Sequence, residues 1–506
     1  MWAYGISGDH PVVLVTVAAR EGLGTVREML KAHEYWRLKG LTVDLVILNE
    51  DQSRYFQPLQ ELLQETVAVG YARHWLDRPG GIFLRQARAM PEEDRRLLYA
   101  VAAVVIDAGK PLAGQLRLPL RELPPFKTFA PESPVYEKQE EPLELQLWNG
   151  YGGFSLDGKE YVIRLREGTT TPAPWINVVA NPRFGFQVSE SGAGFTWAEN
   201  SRENKLTPWS NDPVTDPVGE AVYLRDDVTG ARWSITPQPR RDEAPYTVHH
   251  GRGYTRFHHH SQGLAQEQVV FVPLQDPVKI ILVRLTNQTE SARQLSLYYY
   301  LRPVLGVTDE VTAPHIITAY EEAEQVLTAR NPYNTDFPGR LAFVAASEAI
   351  ASYTGDRVEF IGPAGTLADP EALRRERLSN TVGAGLDPCL ALELKIHLGP
   401  GEQKEVVLLL GQAAGFEEVL ALVRRYRDLR AVQQALAEVQ SFWDRTLGVI
   451  QVRTPEPSLD LLMNGWLMYQ NIACRLWARS AFYQCGGAFG YRDQLQDSLN
   501  AIYISP

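Results

Sequence analysis

Hydrophobic positions along the chain change period three times. Residues 11 to 18 (Pro-Val-Val-Leu-Val-Thr-Val-Ala) form a short β-branched run, a helical spacing follows from about Gly24 to Leu38, and Val43 to Leu48 is a second run. Strand, helix and strand in that order predict a βαβ unit with a parallel pair. A helical pattern from Tyr55 to Val67, a short strand from Ile82 to Arg85 and a third helix from Glu92 to Ile106 extend it into a small α/β layer over residues 1–118. From about Leu145 to Ala413 the pattern becomes many short β-rich runs separated by Gly, Pro, Asn and Asp. They include Tyr161 to Leu165, Trp175 to Val179, Gly185 to Val188, Ala221 to Leu224, Val269 to Val272, Lys279 to Leu285, Leu295 to Leu301 and Glu405 to Leu410. Strands at that spacing without long helices predict a large antiparallel β-sandwich over 144–413. The polar stretch Asn287 to Ser291 between two apolar runs reads as a hairpin turn.

After Gly415 the period is helical again. Phe416 to Tyr426 and Leu429 to Trp443 read as linker helices within 414–457. Ser458 is placed to cap a further helix, in which Leu459, Leu462, Met463, Trp466 and Ala473 follow the i, i+3, i+4, i+7 stripe. Between the first two regions, residues 119–143 hold six prolines (Pro119, Pro124, Pro125, Pro131, Pro134, Pro142) and the glutamates Glu137, Glu140 and Glu141. Proline fixes φ and like charges repel, so this stretch reads as an extended, semi-rigid linker. The apolar residues Trp2, Tyr4 and Ile6 directly after Met1 ask for a partner surface, as in a chain that begins partway through a larger assembly.

Composition narrows the functional classes. The 506 residues are 44% hydrophobic and 22% charged, ordinary values for a folded protein of several domains. A net charge of -11 gives no electrostatic footprint for a nucleic-acid backbone and repels an anionic membrane surface. Neither a secretory leader nor a run of about 18 apolar residues is visible, so no membrane association by the chain itself is expected. The three cysteines (Cys389, Cys474, Cys485) have no metal-ligand spacing and fit reduced thiols, hence a cytoplasmic location. At the first strand-to-helix junction stands Arg20-Glu21-Gly22-Leu23-Gly24 rather than a phosphate-binding glycine motif, so a nucleotide site is not supported there.

Candidate chemistry concentrates near the C-terminus, in Ala488-Phe-Gly-Tyr-Arg-Asp-Gln-Leu-Gln-Asp-Ser498, just after Gly486 and Gly487. Asp493 and Asp497 are four residues apart and share a face if the stretch is helical, with Arg492 and the amides Gln494 and Gln496 beside them. A carboxylic acid that protonates a leaving oxygen, with amides, Arg and aromatics around it, is what glycosidic-bond cleavage requires. An acid at a helix start also simply complements the macrodipole. Eleven Trp and 22 Tyr suit sugar faces, as they suit any core. The run Trp175 to Trp197, continuing through Asn200 to Trp209 and on to Pro217, reads as strand, Gly turn, strand and a polar loop able either to present amides and an aromatic face to a sugar or to staple itself. His249, His250, His258, His259 and His260 are half of the ten histidines. His258 and His260 would point the same way on a strand, but with no Cys or carboxylate at ligand spacing they read as polar strand faces, and no metal site is assigned.

The Trp175 to Pro217 run resembles the β-sandwich domain of glycoside hydrolase family 94, the inverting phosphorylases, and within it the phosphorylase-like part of the cyclic β-1,2-glucan synthases. The resemblance continues through His250 to Phe257, Phe271 to Pro277, Thr328 to Tyr333, Asp356 to Gly362, the opening Trp2 to Asp9, and Gly490-Tyr-Arg-Asp493. It implies a multidomain α+β protein: an α/β segment, a large antiparallel β-sandwich, and in 458–506 the first helices of an incomplete (α/α)6 barrel. It implies phosphorolysis or transglycosylation of a β-glucan, most directly a β-1,2-linked one. Inorganic phosphate is then the co-substrate, and no cofactor is needed. By this resemblance Asp493 is the general acid, Tyr491, Arg492 and Asp497 are its sugar-binding neighbours, and Arg357 matches a sugar-contacting Arg. Pro363 stands where some relatives carry an acidic partner. The phosphate-holding residues of the family lie in the rest of the barrel, so the isolated chain is expected to be nearly inactive. A companion chain carrying the remaining barrel, or association with further copies, is left open. So are two other classes, a non-catalytic glucan-binding module and an inverting hydrolase.

Overall fold

The computed structural model describes residues 1–51, 57–115, 122–130, 143–479 and 492–504, apart from the side chains of 493 and 494. It has two compact units, residues 1–122 and 123–506. In the first, β1 (Val12–Val17), α1 (Leu23–Leu38), β2 (Asp44–Asn49), α2 (Pro58–Ala68), β3 (Ile82–Gln86), α3 (Glu92–Val101), β4 (Ala102–Asp107) and a last turn, α4 (Leu112–Gln115), alternate along the chain. The sheet order is β3-β2-β1-β4, and its paired strands run parallel. β1 and β2 are buried at every position, which is why their apolar runs do not alternate: helices cover both faces. Val13, Val15, Leu45 and Ile47 pack under α1 and α2, while Leu14, Val46, Leu48 and Phe83 pack with Leu98 of α3 and with Ile6.

Two expectations change here. The helix expected to run from Glu92 to Ile106 stops at Val101, because Val104, Val105 and Ile106 extend and pair with β1. Their branched side chains favour the strand once an open ladder lies beside them. The N-terminal apolar residues partly find their partner locally: Ile6 is buried and the Tyr4 hydroxyl donates to Asp94 at 2.6 Å, whereas Trp2 remains 83% exposed.

The second unit contains β5 (Leu145–Gln146), β6 (Gly152–Ser155), β7 (Glu160–Leu165), β8 (Ile176–Ala180), β9 (Phe184–Ser189), β10 (Gly194–Ala198), β11 (Glu220–Asp226), β12 (Arg232–Ser234), β13 (Tyr246–Gly251), β14 (Tyr254–Ser261) and β15 (Leu264–Phe271). β16 (Val278–Asn287), β17 (Arg293–Leu301), the short α5 (Asp309–Thr312), β18 (Ile317–Glu321), β19 (Val326–Arg330), β20 (Leu341–Ala346), β21 (Ile350–Asp356), α6 (Arg357–Ile361), β22 (Pro388–Leu398) and β23 (Gln403–Ala413) follow. Each run predicted as a sandwich strand overlaps one of these. A five-stranded sheet, β12-β11-β17-β22-β21, faces an eleven-stranded one, β18-β19-β20-β23-β16-β15-β14-β13-β7-β6-β5. Between them Val283, Leu285, Leu408 and Leu410 meet Leu295, Leu297, Leu392 and Leu394.

Asn287 to Ser291 is not a hairpin turn. β16 pairs with β15 and β23, whereas β17 pairs with β11 and β22, so the segment carries the chain from one sheet to the other. Asn287 secures the crossing, its side-chain amide donating to the carbonyls of Ser291 and Gly399.

The far face of the large sheet is apolar too. Ile280, Leu282, Val407 and Leu409 lie beneath Val419 and Val423 of α7 (Phe416–Tyr426) and Val432, Val439 and Trp443 of α8 (Leu429–Leu447). β16 and β23 therefore read as continuous hydrophobic runs although they are antiparallel. Residues 123–130 are extended, as their prolines ask, but docked on the sandwich rather than free: Pro124 O accepts from Arg375 at 2.7 Å and Ala130 N donates to Val228 O at 2.9 Å. The rest of the predicted linker is mostly outside the described residues. Among the described residues, no helix is long and apolar enough to cross a membrane.

Candidate functional site

The last helical region hangs on the sandwich through a few buried contacts. After α8 the chain forms α9 (Pro457–Leu461), a wide π turn at Leu462–Trp466, α10 (Leu467–Gln470) and a second π turn at Asn471–Trp477. Glu456, not Ser458, caps α9, its carboxylate accepting from Ser458 N. The predicted stripe is only half right. Trp466 and Ala473 are buried, but Leu459, Leu462 and Met463 are exposed, and the packed face is Trp466, Tyr469, Ile472 and Ala473. Each π turn adds a residue to the helix and rotates the following face, and Gly465 breaks the helical backbone at φ 179, ψ -61.

This packed face meets the tip of the β13–β14 hairpin. Gly253 N donates to Tyr469 Oη at 3.0 Å, and a Cβ on Gly253, whose φ is +86, would lie 2.4 Å from the Trp443 indole nitrogen. The Tyr469 hydroxyl sits 2.9 Å from Asn177 Oδ1, and Trp466 Nε1 donates to Gly158 O at 3.1 Å. Beyond the helix, Ser201 Oγ donates to Ala478 O at 2.5 Å.

The chain returns with α11 (Asp493–Leu499), of which Arg492 is the N-cap residue and Asp493 the first helical one. Asp493 and Asp497 thus stand one helical step of four apart, as the spacing predicted. Asp497 pairs with Arg475 Nε at 2.5 Å and its carbonyl accepts from Asn471 Nδ2 at 2.6 Å, which ties α11 to the second π turn. Sequence reasoning named neither Arg475 nor Asn471. Their only signal is a charged and an amide residue four apart on the preceding helix. Arg492 is exposed. Tyr491, Gly486, Gly487, Gly490, Cys485 and the Asp493 side chain lie outside the described residues.

Arg357 stands elsewhere in the unit. It opens α6, whose Phe360 stacks on Tyr300 at 4.7 Å over the outer face of the five-stranded sheet, and its guanidinium pairs with Asp387 at 2.9 Å. No described contact joins Arg357 to α11. The Asp356 to Gly362 motif has a structural duty: Asp356 caps α6, and buried Glu359 accepts from Ser379 N at 2.7 Å.

The polar loop after β10 staples itself. Asn204 donates to Ala198 O at 2.9 Å and Gln412 Oε1 at 2.7 Å, and Lys205 Nζ donates to Arg202 O and Val307 O, both at 2.9 Å. Asn204 is thereby buried, while Asn200 and Trp209 are half-buried and Asn211 is exposed.

Three of the five histidines, His249, His258 and His260, lie on the polar outer face of β13 and β14, whereas His250 and His259 are buried on the inner side with Val248 and Phe257. On the outer side of β7, β13 and β14, Glu160 lies 2.8 Å from His249 Nδ1 and accepts from Tyr254 Oη at 2.6 Å. Burial pulls that carboxyl up, but His249, Tyr254 and Arg256 outweigh it and hold it at about 2. Burial drives His258 down to about 3 and fully enclosed His250 down to about 4. Among the described residues no group of three His, Cys, Asp or Glu is placed to hold a metal. Cys389 and Cys474 are free thiols, and burial pushes Cys474 up to about 12.

Residues 159–429 match the glycosyl hydrolase 94 supersandwich domain, and residues 442–506 match the catalytic domain of the glycosyl hydrolase 94 superfamily. The chain is 38% identical to cyclic beta-(1,2)-glucan synthase NdvB of Rhizobium meliloti (strain 1021), over 100% of its own length and 18% of that protein's. It is 31% identical to N,N'-diacetylchitobiose phosphorylase of Vibrio furnissii, over 70% of this chain and 45% of that one. It is 28% identical to solabiose phosphorylase of Paenibacillus borealis, over 69% of this chain and 45% of that one. The chain therefore spans less than half the length of these relatives. With the sandwich matched along 159–429 and the helical region from 442 onward, this chain belongs to the glycosyl hydrolase 94 family.

Proposed function

We propose that this chain serves inverting phosphorolysis of a β-1,2-linked glucan, with Asp493 as the general acid. The observation that carries the reading is the match along the whole chain to a cyclic beta-(1,2)-glucan synthase, alongside phosphorylases matched over 69% and 70% of this chain. In this reaction the bond between the anomeric carbon and the glycosidic oxygen breaks while a phosphate oxygen bonds to that carbon from the opposite face. The Asp493 proton passes to the leaving oxygen, and a β-glucoside gives α-glucose 1-phosphate. Phosphate is already an anionic nucleophile, so no second carboxylate is needed to activate water, and no cofactor takes part.

Asp493 begins a helix of seven residues whose Asp497 is tied to Arg475 at 2.5 Å, and that anchor holds the acid's backbone in place. Tyr491 and Arg492 flank the acid and contact the sugar. Arg357, on the sandwich, belongs to the same sugar-binding set in this reading. The phosphorylase relatives extend over more than twice the matched length, and in this reading the rest of the catalytic domain supplies the remaining helices and the phosphate contacts. Reacting groups out of register lose orders of magnitude in rate, so residues 1–506 assayed without the rest of that domain are expected to be nearly inactive. Free Cys389 and Cys474 accord with a cytoplasmic setting.

The test is release of α-glucose 1-phosphate from β-1,2-glucooligosaccharides and phosphate, by this chain alone and with an added polypeptide carrying the rest of the catalytic domain. Release only with the added part, and its loss in Asp493→Asn, is the expected result. Glucose release without phosphate would make the protein a hydrolase and overturn the reading. Silence in both would leave a glucan-binding module.

A further inference from the structure

Ser201, in the loop after β10, is 1% exposed and sits on a turn whose backbone is held from several sides. Asn200 Oδ1 accepts from Arg202 N and Glu203 N, both at 3.0 Å, and Asn204 donates to Ala198 O and Gln412 Oε1. From this fixed turn the Ser201 hydroxyl reaches Ala478 O at 2.5 Å, 277 residues further along the chain.

Ala478 is where the helix after Pro457 ends. Its N–H donates to Ala473 O at 2.9 Å and closes the second π turn, and Arg479 follows at φ +52, the left-handed conformation in which helices commonly stop. The last carbonyls of a helix have no partner within it, so a donor from outside determines where that end rests. Here the donor belongs to the sandwich.

The same π turn holds the helix of the acid. Arg475, three residues before Ala478, pairs with Asp497 at 2.5 Å, and Asn471 donates to Asp497 O at 2.6 Å. Asp497 lies in α11, which Asp493 opens. A shift at Ala478 therefore moves Arg475, and with it α11. We propose that Ser201 is a positioning residue for the general acid, through which the sandwich sets the placement of Asp493. The proposal rests on the assignment of Asp493 above. Ser201 is enclosed and closed to a sugar, so its loss acts on proton delivery rather than on substrate binding.

The experiment uses the full chain with the polypeptide carrying the rest of the catalytic domain, and two substrates. Phosphorolysis of a β-1,2-glucooligosaccharide draws a proton from the acid, whereas 2,4-dinitrophenyl β-glucoside releases a phenolate that needs none. Ser201→Ala should lower kcat on the oligosaccharide about tenfold at unchanged KM, and keep the aryl glucoside rate within about twofold. Ser201→Thr retains the hydroxyl and should recover part of the loss. In the full chain alone, amide hydrogen exchange along 493–499 should speed several-fold in Ser201→Ala. Equal losses on the two substrates would mark Ser201 as merely structural and overturn the proposal, as would unchanged exchange. If the native protein releases no glucose 1-phosphate, the catalytic reading falls by itself. Exchange then decides the rest: faster exchange upholds the control of α11 by Ser201, and unchanged exchange overturns it.

Discussion

The Tyr469 hydroxyl lies 2.9 Å from Asn177 Oδ1, joining residues 292 positions apart at the seam between the sandwich and the last helical region. Asn177 in turn donates to Gly251 O at 2.8 Å and Tyr254 O at 2.9 Å, on either side of the hairpin turn whose Gly253 N–H the same phenol accepts. One buried phenol and one buried amide thus close a loop through three parts of the chain.

Tyr469→Phe removes that hydroxyl without changing shape and leaves the Gly253 N–H unsatisfied in a buried place. The expected loss is about 1–3 kcal/mol of unfolding free energy, read from the urea midpoint at constant slope. A midpoint equal to the parent's would mean that the seam contributes nothing to stability.

Gly253→Ala acts on the same seam by crowding. Its Cβ would stand 2.4 Å from the Trp443 indole nitrogen at a φ of +86, so both strain and overpacking apply. A loss of about 2 kcal/mol or more is expected, with the Trp fluorescence of the helical region changed. Trp443→Phe in the same background should recover part of it.

Acid should weaken the fold in two windows. His250 is held down to about 4 by burial, with the neighbouring His249 adding and its bond to Trp175 O opposing. Its unfolded value is about 6.5, so between those values the unfolded chain binds the extra proton and stability falls as pH falls. At about 1.4 kcal/mol per pH unit the loss is on the order of 3 kcal/mol, complete near pH 4. Glu160, lowered to about 2, contributes stability that is present above its ordinary 4.5 and lost below it. Denaturant curves at pH 7, 5.5 and 4.5 should show the first window, to which His258, driven down to about 3, also contributes, so His250→Gln should make it shallower without abolishing it. An unchanged slope in that variant would assign the acid sensitivity to other groups.

Arg475→Gln should loosen α11. The pair with Asp497 is partly exposed, with side chains 19% and 38% accessible, so its worth is about 1 kcal/mol or less, and the global midpoint should barely move. Amide hydrogen exchange along 493–499 is the sensitive readout and should speed several-fold, while the sandwich strands stay unchanged.

Local periodicity determined much of this protein. The β-branched runs became strands, the 416–426 spacing became α7 with the same ends, and the Asp493-to-Asp497 spacing became a helical step. These features depend on short-range sterics and side-chain spacing, which the sequence states directly. Tertiary structure decided the rest. Whether Ala102 to Asp107 is helix or strand depended on the open ladder of β1, and whether Asn287 to Ser291 turns or crosses depended on which sheet claimed β17. The buried face of the helix after Pro457 was set by two π turns, by the hairpin tip that Tyr469 meets and by the Gly158 turn that Trp466 meets, not by the stripe beginning at Leu459. The pairing of Arg475 with Asp497, and the placement of Arg357 over the five-stranded sheet, follow from contacts between segments far apart in the chain, whose energies no local pattern records.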